Sequence, residues 1–182
     1  APCRAPNGST TCTEQTTPAE PVLWRQTSGR HPYAIIGSDW ANYAVSVDAM
    51  VPRAGSAGLL GRYHAVSASH GTFNAYVFTV NTDGTYTLTR NKGGTAADTA
   101  SGQRQLTPPH STVLARGPAG FSPGTWHRLS LAVSGTTITA SLDGQRLASL
   151  TGTTLTRGTP GITTGGWYPA YYSHLAITSP EG

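Results

Sequence analysis

The chain has 182 residues, of which 22 are glycine, 13 are proline and 11% are charged. Glycine and proline occur along the whole length and exclude long helices, and the segments between them are rich in Val, Thr, Tyr, Leu and Ile, which indicates packed strands and excludes disorder. The net charge of +4 comes from basic residues that stand singly, and no apolar run is long enough to span a bilayer, so we expect neither a nucleic-acid partner nor a membrane partner.

Residues 1–32 are predicted to form an extended lead-in packed on a single domain at 33–182. Cys3 and Cys12, the two cysteines of the chain, lie in this lead-in among Pro, Gly, Ser and Thr. A segment of this composition has little else to hold it, which favours a disulfide between the two cysteines over free thiols. A disulfide would in turn indicate a secreted, extracellular protein.

Strand signals follow in chain order at the regular spacing of a β-sandwich. "PVLWRQ" (21–26) is expected to pair with a sheet edge. Further strands are expected at 43–51 and 57–66, as a hairpin at 74–91 around Asp83-Gly84, at 112–117, as a three-stranded meander within 124–150, and at 170–178. The rest of 92–123 is expected to be mainly loop, and "GITTGGWYP" (161–169) a glycine-rich corner. The fold class is therefore all-β.

The strand at 43–51 carries a carboxylate, Asp48, among alternating apolar residues. If Tyr43, Val45 and Val47 point into the sandwich, Asp48 points to the outer face, because alternate residues of a strand lie on opposite faces. The same rule predicts that the hairpin strand buries its residues 76, 78 and 80 and turns Thr79 outward.

Arg62 and His64 are two residues apart on the strand at 57–66 and are therefore expected to point to the same face. We therefore expect Asp48, Arg62 and His64 to form a polar trio on one sheet face. Fixed donors and acceptors on a rigid sheet are what sugar hydroxyls require, so the trio and Thr79 are candidate ligand-binding residues. The alternative is a surface salt bridge between Asp48 and Arg62 that binds no ligand and contributes at most about 1 kcal/mol.

Aromatic residues supply a second candidate. Trp167 and Tyr168 lie in the glycine-rich corner with little apolar company, and sugar rings stack their C–H faces on such aromatic planes. Plain packing is the alternative for this pair. Trp24, Trp40 and Trp126 stand at strand starts and are expected to pack at the edge of the core.

Catalysis within the chain is not expected. A glycosidase needs a pair of positioned carboxylates, and of the eight acidic residues only Asp48 is placed on a strand face. Asp83 and Asp143 sit in Asp-Gly turns, where the side chain caps the turn backbone. The G-x-S-x-G motif of a serine hydrolase is also missing.

Five stretches together resemble a known family. They are "WRQTSGRHPYAIIGSDWANYAVSVD" (24–48), "LLGRYH" (59–64), "YVFTVNTDGTYTLT" (76–89), "GTWHRLSLAVSGTTITASLDGQRLAS" (124–149) and "GITTGGWYPAYYSHLAI" (161–177). In order and spacing they resemble the C-terminal lectin-like domain of the galactocerebrosidase glycoside hydrolase family, and the two cysteines of the lead-in fit the same pattern.

The resemblance implies a jelly-roll sandwich of two antiparallel sheets, of the concanavalin A-like lectin and glucanase type. In its relatives this domain is extracellular or lysosomal and is attached to a catalytic barrel that cleaves β-galactosyl bonds. Relatives commonly have Asp-Asn in the last strand, where the Asp helps to hold a structural calcium. This chain has Ser173-His174 there, and a hydroxyl is a poorer calcium ligand than a carboxylate. No cofactor is therefore predicted, with Asp39 as the remaining candidate calcium ligand.

The sequence thus predicts a noncatalytic, lectin-like carbohydrate-binding module for galactose-containing glycans, from a secreted bacterial protein or glycosidase. One alternative is an accessory domain of a galactosidase that completes the active site of a separate catalytic glycosidase domain. The other is a laminin G-like module that binds proteins.

Overall fold

The computed structural model describes residues 2–4, 11–13, 15–17, 20–22, 24–26, 33–67, 72–95, 111–165 and 169–178. Every regular element within these residues is a β-strand. A helix able to cross a membrane is accordingly not found in the described part of the chain.

Five short strands lie in the N-terminal segment: β1 (Pro2–Arg4), β2 (Thr11–Thr13), β3 (Gln15–Thr17), β4 (Glu20–Val22) and β5 (Trp24–Gln26). The described residues after them form β6 (Tyr33–Ile35), β7 (Tyr43–Met50), β8 (Ser56–Ser67), β9 (Thr72–Asn81), β10 (Thr85–Thr95), β11 (Ser111–Pro118), β12 (His127–Ser134), β13 (Thr137–Leu142), β14 (Gln145–Leu150), β15 (Thr159–Gly165) and β16 (Ala170–Thr178).

Two six-stranded antiparallel sheets face each other in a jelly-roll β-sandwich. Sheet I has the strand order β11-β10-β9-β8-β15-β6, and sheet II has the order β14-β13-β12-β7-β16-β5. The predicted fold class is confirmed. The expected pairing of "PVLWRQ" with a sheet edge is also confirmed, because β5 pairs with β16 at the edge of sheet II.

The N-terminal segment adds two small sheets, β1-β2 and β3-β4. In the first of them the backbone pairs Cys3 directly opposite Cys12. The assignment of residues 1–32 as a lead-in and 33–182 as a domain stays a prediction, although β5 shows that a strand of the sandwich already lies before residue 32.

The alternation of buried and partly exposed residues along β7 shows which face of sheet II forms the core. Tyr43, Val45, Val47 and Ala49 are buried, while the residues between them are partly exposed. The neighbouring strand β12 has the same alternation, and its Leu129 lies opposite Val47. These side chains meet the buried residues of sheet I, among them 76, 78 and 80 as predicted.

Sheet I also buries residues on its outer face. Leu60, Phe73, Ala75 and Val77 form a separate apolar cluster, against which partly buried tyrosines pack. Val77 therefore points away from the main core, as expected, yet its side chain is 1% exposed. A half-buried sheet would show clean alternation of apolar and polar residues, and this sheet does not because both of its faces are covered at this point.

Two neighbouring strands of sheet I differ from the sequence prediction. No strand was predicted at β6, which lies at the edge of the sheet. The predicted glycine-rich corner is strand up to Gly165, because β15 pairs with β8 on one side and with β6 on the other. A Cβ atom on Gly161 would lie 2.6 Å from the carbonyl oxygen of Ala34. Glycine is present here because the strands approach closely, and not because the chain turns.

A β-bulge interrupts β8. The register with β9 shifts between Gly61 and His64, and Arg62 has a φ of 53°. A bulge adds one residue to one strand and so reverses the face on which the following side chains lie. Gly158 lies against this bulge, and a Cβ atom there would come within 2.3 Å of the Arg62 carbonyl carbon.

Candidate functional site

Asp48 lies on the outer face of sheet II, as its parity on β7 predicts. Its Oδ1 accepts a hydrogen bond of 3.0 Å from Nη1 of Arg128, which is the residue opposite it on β12. Its Oδ2 lies 2.8 Å from Nδ1 of His174 on β16. We call these three residues the Asp48 platform, since they are contributed by three adjacent strands of one sheet.

Further hydrogen bonds hold the platform in place. Arg128 also donates to Oγ of Ser46 at 2.8 Å and to the backbone carbonyl of His174 at 2.9 Å. The register of β16 against β7 shifts between Ser173 and Ala176, and His174 has a φ of 49°. This irregularity turns the His174 ring towards Asp48, which regular alternation would not do.

The three side chains remain partly open to solvent, with exposed fractions of 27% for Asp48, 39% for Arg128 and 45% for His174. A carboxylate, a guanidinium and an imidazole in one place offer acceptors and donors together. Sequence reasoning missed Arg128 and His174, because pairing across strands had not been assigned. Alternation along the strand could have placed Arg128 on the outer face, since its neighbour Leu129 is apolar and points inward. Nothing in the sequence placed His174 beside Asp48.

The predicted trio of Asp48, Arg62 and His64 does not form. Asp48 belongs to sheet II, whereas Arg62 and His64 belong to sheet I. The bulge in β8 turns the Arg62 side chain into the protein, where it is 1% exposed. The salt bridge between Asp48 and Arg62 that was the alternative is absent as well, because the ion pair of Asp48 is with Arg128.

Arg62 is held by the backbone. Its guanidinium donates to the carbonyl oxygens of Ala41, Leu155 and Gly135, and its own N–H donates to the hydroxyl of Tyr43 at 2.6 Å. Burial lowers the pKa of Arg62 from its ordinary value, and burial raises the pKa of Tyr43 to about 12. A buried guanidinium with these partners joins three connections between strands and cannot reach a ligand.

The other two predicted residues of sheet I lie apart from the platform. His64 is exposed on β8, where its Nδ1 is 3.4 Å from the carbonyl oxygen of Arg62. Thr79 points to the outer face of sheet I, as predicted, but is only 5% exposed. Trp167 and Tyr168 lie outside the described residues.

Comparison with known proteins identifies the family. Residues 4–179 match the sequence profile of the galactocerebrosidase C-terminal lectin domain. The chain belongs to this family. None of the curated proteins matches the chain by sequence.

Solved structures similar to this lectin domain agree in fold. The carbohydrate-binding module CBM66 from Bacillus subtilis superposes with a TM-score of 0.68 at 12% identity, and the match covers 92% of each chain. The galectin LEC-6 from Caenorhabditis elegans has a TM-score of 0.53 at 12% identity, over 82% of this chain and 93% of the galectin. The β-glucanase from Bacillus licheniformis has a TM-score of 0.58 at 9% identity, over 100% and 91%.

The described residues of the lectin domain do not fit a calcium site. No group of three or more His, Cys, Asp or Glu side chains converges among them. Asp39, the candidate ligand, instead forms an ion pair of 3.0 Å with Nε of Arg157. Ser173, which stands where relatives have aspartate, is 1% exposed, and its hydroxyl lies 3.2 Å from Nδ1 of His174.

The lectin domain also brings a serine, a histidine and an aspartate together. His127 Nδ1 lies 2.7 Å from Oδ2 of Asp143, and His127 Nε2 lies 3.3 Å from Oγ of Ser122. Nε2 also accepts the backbone N–H of Ser122 at 3.2 Å, so its lone pair is not free to take a proton from the hydroxyl. Asp143 Oδ1 accepts the backbone N–H of Arg128 at 2.7 Å. These contacts join the loop before β12 to the β13–β14 turn, as a structural clamp.

Asp143 thereby corrects the expectation that both Asp-Gly aspartates cap their own turns. Asp83 does so, because its Oδ1 accepts from the backbone N–H and the hydroxyl of Thr85. Asp143 instead bonds to His127 and Arg128 on β12, the strand that pairs with β13. Each described aspartate is thus engaged in hydrogen bonds, and Asp48 and Asp143 both bond to Arg128, the first to its guanidinium and the second to its backbone N–H.

Proposed function

We propose that this lectin domain is a noncatalytic carbohydrate-binding module, that it prefers galactose-containing glycans, and that it comes from a secreted bacterial protein or glycosidase. The observation that carries the proposal is the Asp48 platform, in which three half-exposed polar side chains are held together on a rigid sheet. Membership of a lectin-domain family supports sugar as the class of ligand.

The platform has the chemistry that a sugar requires. Vicinal sugar hydroxyls donate and accept hydrogen bonds at the same time, so they pair with a carboxylate and a guanidinium that lie side by side. Asp48 and Arg128 are already fixed by their mutual contact and by Ser46. A ligand therefore orders few side chains when it binds, which keeps the entropic cost of association low.

The same geometry supports a noncatalytic role. Hydrolysis of a glycosidic bond needs two carboxyl groups, one on each side of the bond. The Asp48 platform holds one, and the other described aspartates bind Arg157, Thr85 and His127.

Calorimetric titration with methyl β-galactoside and methyl β-glucoside tests the proposal. We expect a Kd between about 1 mM and 1 µM for the galactoside, which corresponds to roughly 4 to 8 kcal/mol, and weaker binding of the glucoside. Asp48→Asn should weaken galactoside binding at least about tenfold, since it replaces an acceptor by a donor. Asp39→Asn is the matched control, because it makes the same change in an exposed Arg–Asp pair away from the platform.

Four outcomes would overturn parts of the proposal. Equal affinities for the two glycosides would refute the galactose preference. Undiminished binding by the Asp48 variant would refute the platform as the site. Cleavage of a chromogenic galactoside by the purified chain, or failure to bind any sugar, would refute a noncatalytic sugar-binding role.

The cysteine pair supports the proposed secretion. Residues directly opposite each other in an antiparallel pair have Cα atoms about 4.5 to 5.5 Å apart, which falls within the roughly 4.4 to 6.8 Å that a disulfide requires. Cys3 and Cys12 are opposite in this sense. We expect mass spectrometry of denatured protein to find alkylated cysteine only after reduction, and alkylation before reduction would contradict the disulfide.

A further inference from the structure

A pocket opens at one edge of the sandwich, between the end of sheet I and the loop that follows β14. Its volume is about 200 Å³. Its walls include Tyr76, Arg90, Leu114, Leu150, Thr151 and Thr154. We call it the Arg90 pocket. None of the residues of the Asp48 platform lines it.

Among the described residues that line the pocket, Arg90 alone carries a formal charge. The side chain is half-buried, and its Nη1 donates to the hydroxyl of Thr154 at 3.2 Å. Its Nε is buried without a hydrogen-bond partner. Among the described residues no carboxylate lies within ion-pair distance of it. Arg128 and Arg157, by contrast, each have an aspartate partner.

This arrangement leaves donors of Arg90 unused. A guanidinium has five N–H groups, and Thr154 is the acceptor for one of them. A partly desolvated cation without a counter-charge is unfavourable, and a carboxylate that enters the pocket would supply both the charge and the acceptors. The pocket is therefore matched to an anion.

The loop after β14, which forms one wall of the pocket, is held in place by hydrogen bonds. The Tyr76 hydroxyl accepts the backbone N–H groups of Thr154 and Leu155 at 2.8 and 2.9 Å. The backbone N–H and the hydroxyl of Thr153 both donate to the carbonyl oxygen of Thr136. These bonds fix the loop, and with it the Thr154 hydroxyl that orients Arg90. A ligand would find the pocket formed in advance.

The lining favours a small ligand with both polar and apolar sides. Pockets for drug-sized molecules measure about 300 to 1,000 Å³, so this pocket takes one compact unit. The hydroxyls of Thr151 and Thr154 provide partners for ligand hydroxyls, and Leu114 and Leu150 provide an apolar wall for C–H groups. One guanidinium balances one negative charge, which favours a monoanionic carboxylate over a phosphate dianion.

We propose that the Arg90 pocket binds the carboxylate of a single acidic sugar residue, a hexuronic acid, as a second site separate from the Asp48 platform. The choice of a sugar as the carrier of the carboxylate rests on the proposed function, whereas the choice of an anion rests on Arg90 alone.

Amide chemical-shift titration by NMR with glucuronate and galacturonate tests this site, with glucose, galactose, acetate and inorganic phosphate as comparison ligands. We expect both uronates to shift the amide signals of Thr153 and Thr154 and to leave those of Ser46 and Asp48 unchanged. Arg90→Gln should weaken uronate binding at least about tenfold, because a hydrogen bond to a charged group is lost together with the ion pair. Arg146→Gln, which removes an exposed arginine from the neighbouring strand β14, is the matched control.

A second variant tests the site even if Arg90→Gln fails to fold. Thr154→Val removes the hydroxyl that orients Arg90 but keeps the backbone N–H that bonds to Tyr76, and it should weaken uronate binding in a domain with an unchanged circular-dichroism spectrum. Uronate binding that is the same in wild type and in either folded variant would overturn the proposal. Phosphate or acetate binding as tight as uronate binding would overturn the assignment to a sugar.

The outcome separates this proposal from the proposed function. Galactoside binding should be unaffected by Arg90→Gln and lost in Asp48→Asn. If galactoside binds and neither uronate does, the Arg90 pocket is not an acidic-sugar site and the proposed function stands. If uronate binds and galactoside does not, the second site stands and the galactose preference fails.

Discussion

Arg62 shows how much a single side chain can contribute to this sandwich from inside it. The guanidinium makes four hydrogen bonds to three backbone carbonyls, which belong to Ala41, Leu155 and Gly135. Those carbonyls lie in three different connections of the chain, so one charged group joins all three, in addition to the backbone bonds of Trp40 with Gly158 and of Thr153 with Thr136. A buried charge is tolerated because its donors are satisfied.

Replacing Arg62 by alanine should therefore lower stability. Three carbonyls would lose a charged donor and a cavity would form, so we expect the free energy of unfolding to fall by about 3 kcal/mol or more. Guanidinium chloride unfolding measures this change. Arg157→Ala serves as the control, since it removes an exposed ion pair that contributes about 1 kcal/mol at most. An unchanged unfolding midpoint in Arg62→Ala, combined with lost sugar binding, would restore the ligand role that the sequence suggested.

At the scale of elements, irregularities in two strands decide where the functional side chains lie. The bulge in β8 sends Arg62 inward, and the register shift in β16 turns His174 towards Asp48. Both residues have positive φ values, which are uncommon for residues with a side chain and persist only where surrounding contacts impose them. The regular strands β7 and β12, by contrast, obey alternation throughout.

The bulge in β8 packs so closely against Gly158 that a side chain at this position should destabilise the domain. The φ of Gly158 is +146°, and a Cβ atom would come within 2.3 Å of the Arg62 carbonyl carbon. Gly158→Ala should therefore destabilise the domain by more than about 2 kcal/mol, through backbone strain and a clash with main-chain atoms. Gly120→Ala is the control, because a Cβ atom there meets nothing within 4 Å. Equal melting temperatures for the two variants would show that β15 can move away from the bulge at little cost.

At the scale of the whole molecule, burial keeps three tyrosines neutral, Tyr43 and Tyr172 between the sheets and Tyr63 in the apolar cluster on the outer face of sheet I. Burial raises the pKa of Tyr43 to about 12, and burial also raises the pKa of Tyr63 and of Tyr172. The Tyr172 hydroxyl bonds to the carbonyl oxygen of Thr163 on the facing sheet at 2.7 Å. Ionisation of Tyr43 or Tyr172 would place unpaired negative charge between the sheets.

Stability should accordingly fall at alkaline pH. An unfolded tyrosine ionises near pH 10, so between about pH 10 and 12 the folded state binds more protons than the unfolded state, and the free energy of unfolding decreases as pH rises. For Tyr43 the loss amounts to about 2 to 3 kcal/mol once pH passes its folded pKa. Denaturant unfolding across this range measures the slope, and Tyr43→Phe should make it shallower. A stability that stays constant up to about pH 12 would contradict the buried, neutral state of these side chains.

The fold could be read from the sequence because its information is local. Alternating apolar residues at 43–50, 127–134 and 137–142 set the face that each strand buries, and Asp83-Gly84 set the hairpin between β9 and β10. The outward position of Asp48 followed from the same rule. In β15 the rule failed, because glycines that allow close approach of two flanking strands have the same sequence appearance as glycines in a turn.

The site depended on information that is not local. Which residue lies beside Asp48 is set by the registers of β12 and β16 against β7, and these registers follow from packing the two sheets together. The sequence by itself therefore determined the strands, the buried faces and the family, through side-chain alternation and turn chemistry. Only the tertiary structure decided that Arg128 and His174, and not Arg62 and His64, surround Asp48, because β7 pairs with β12 and β16 while β8 lies in the other sheet. The irregularity that turns His174 towards Asp48 also lies at a point that the sequence pattern does not mark.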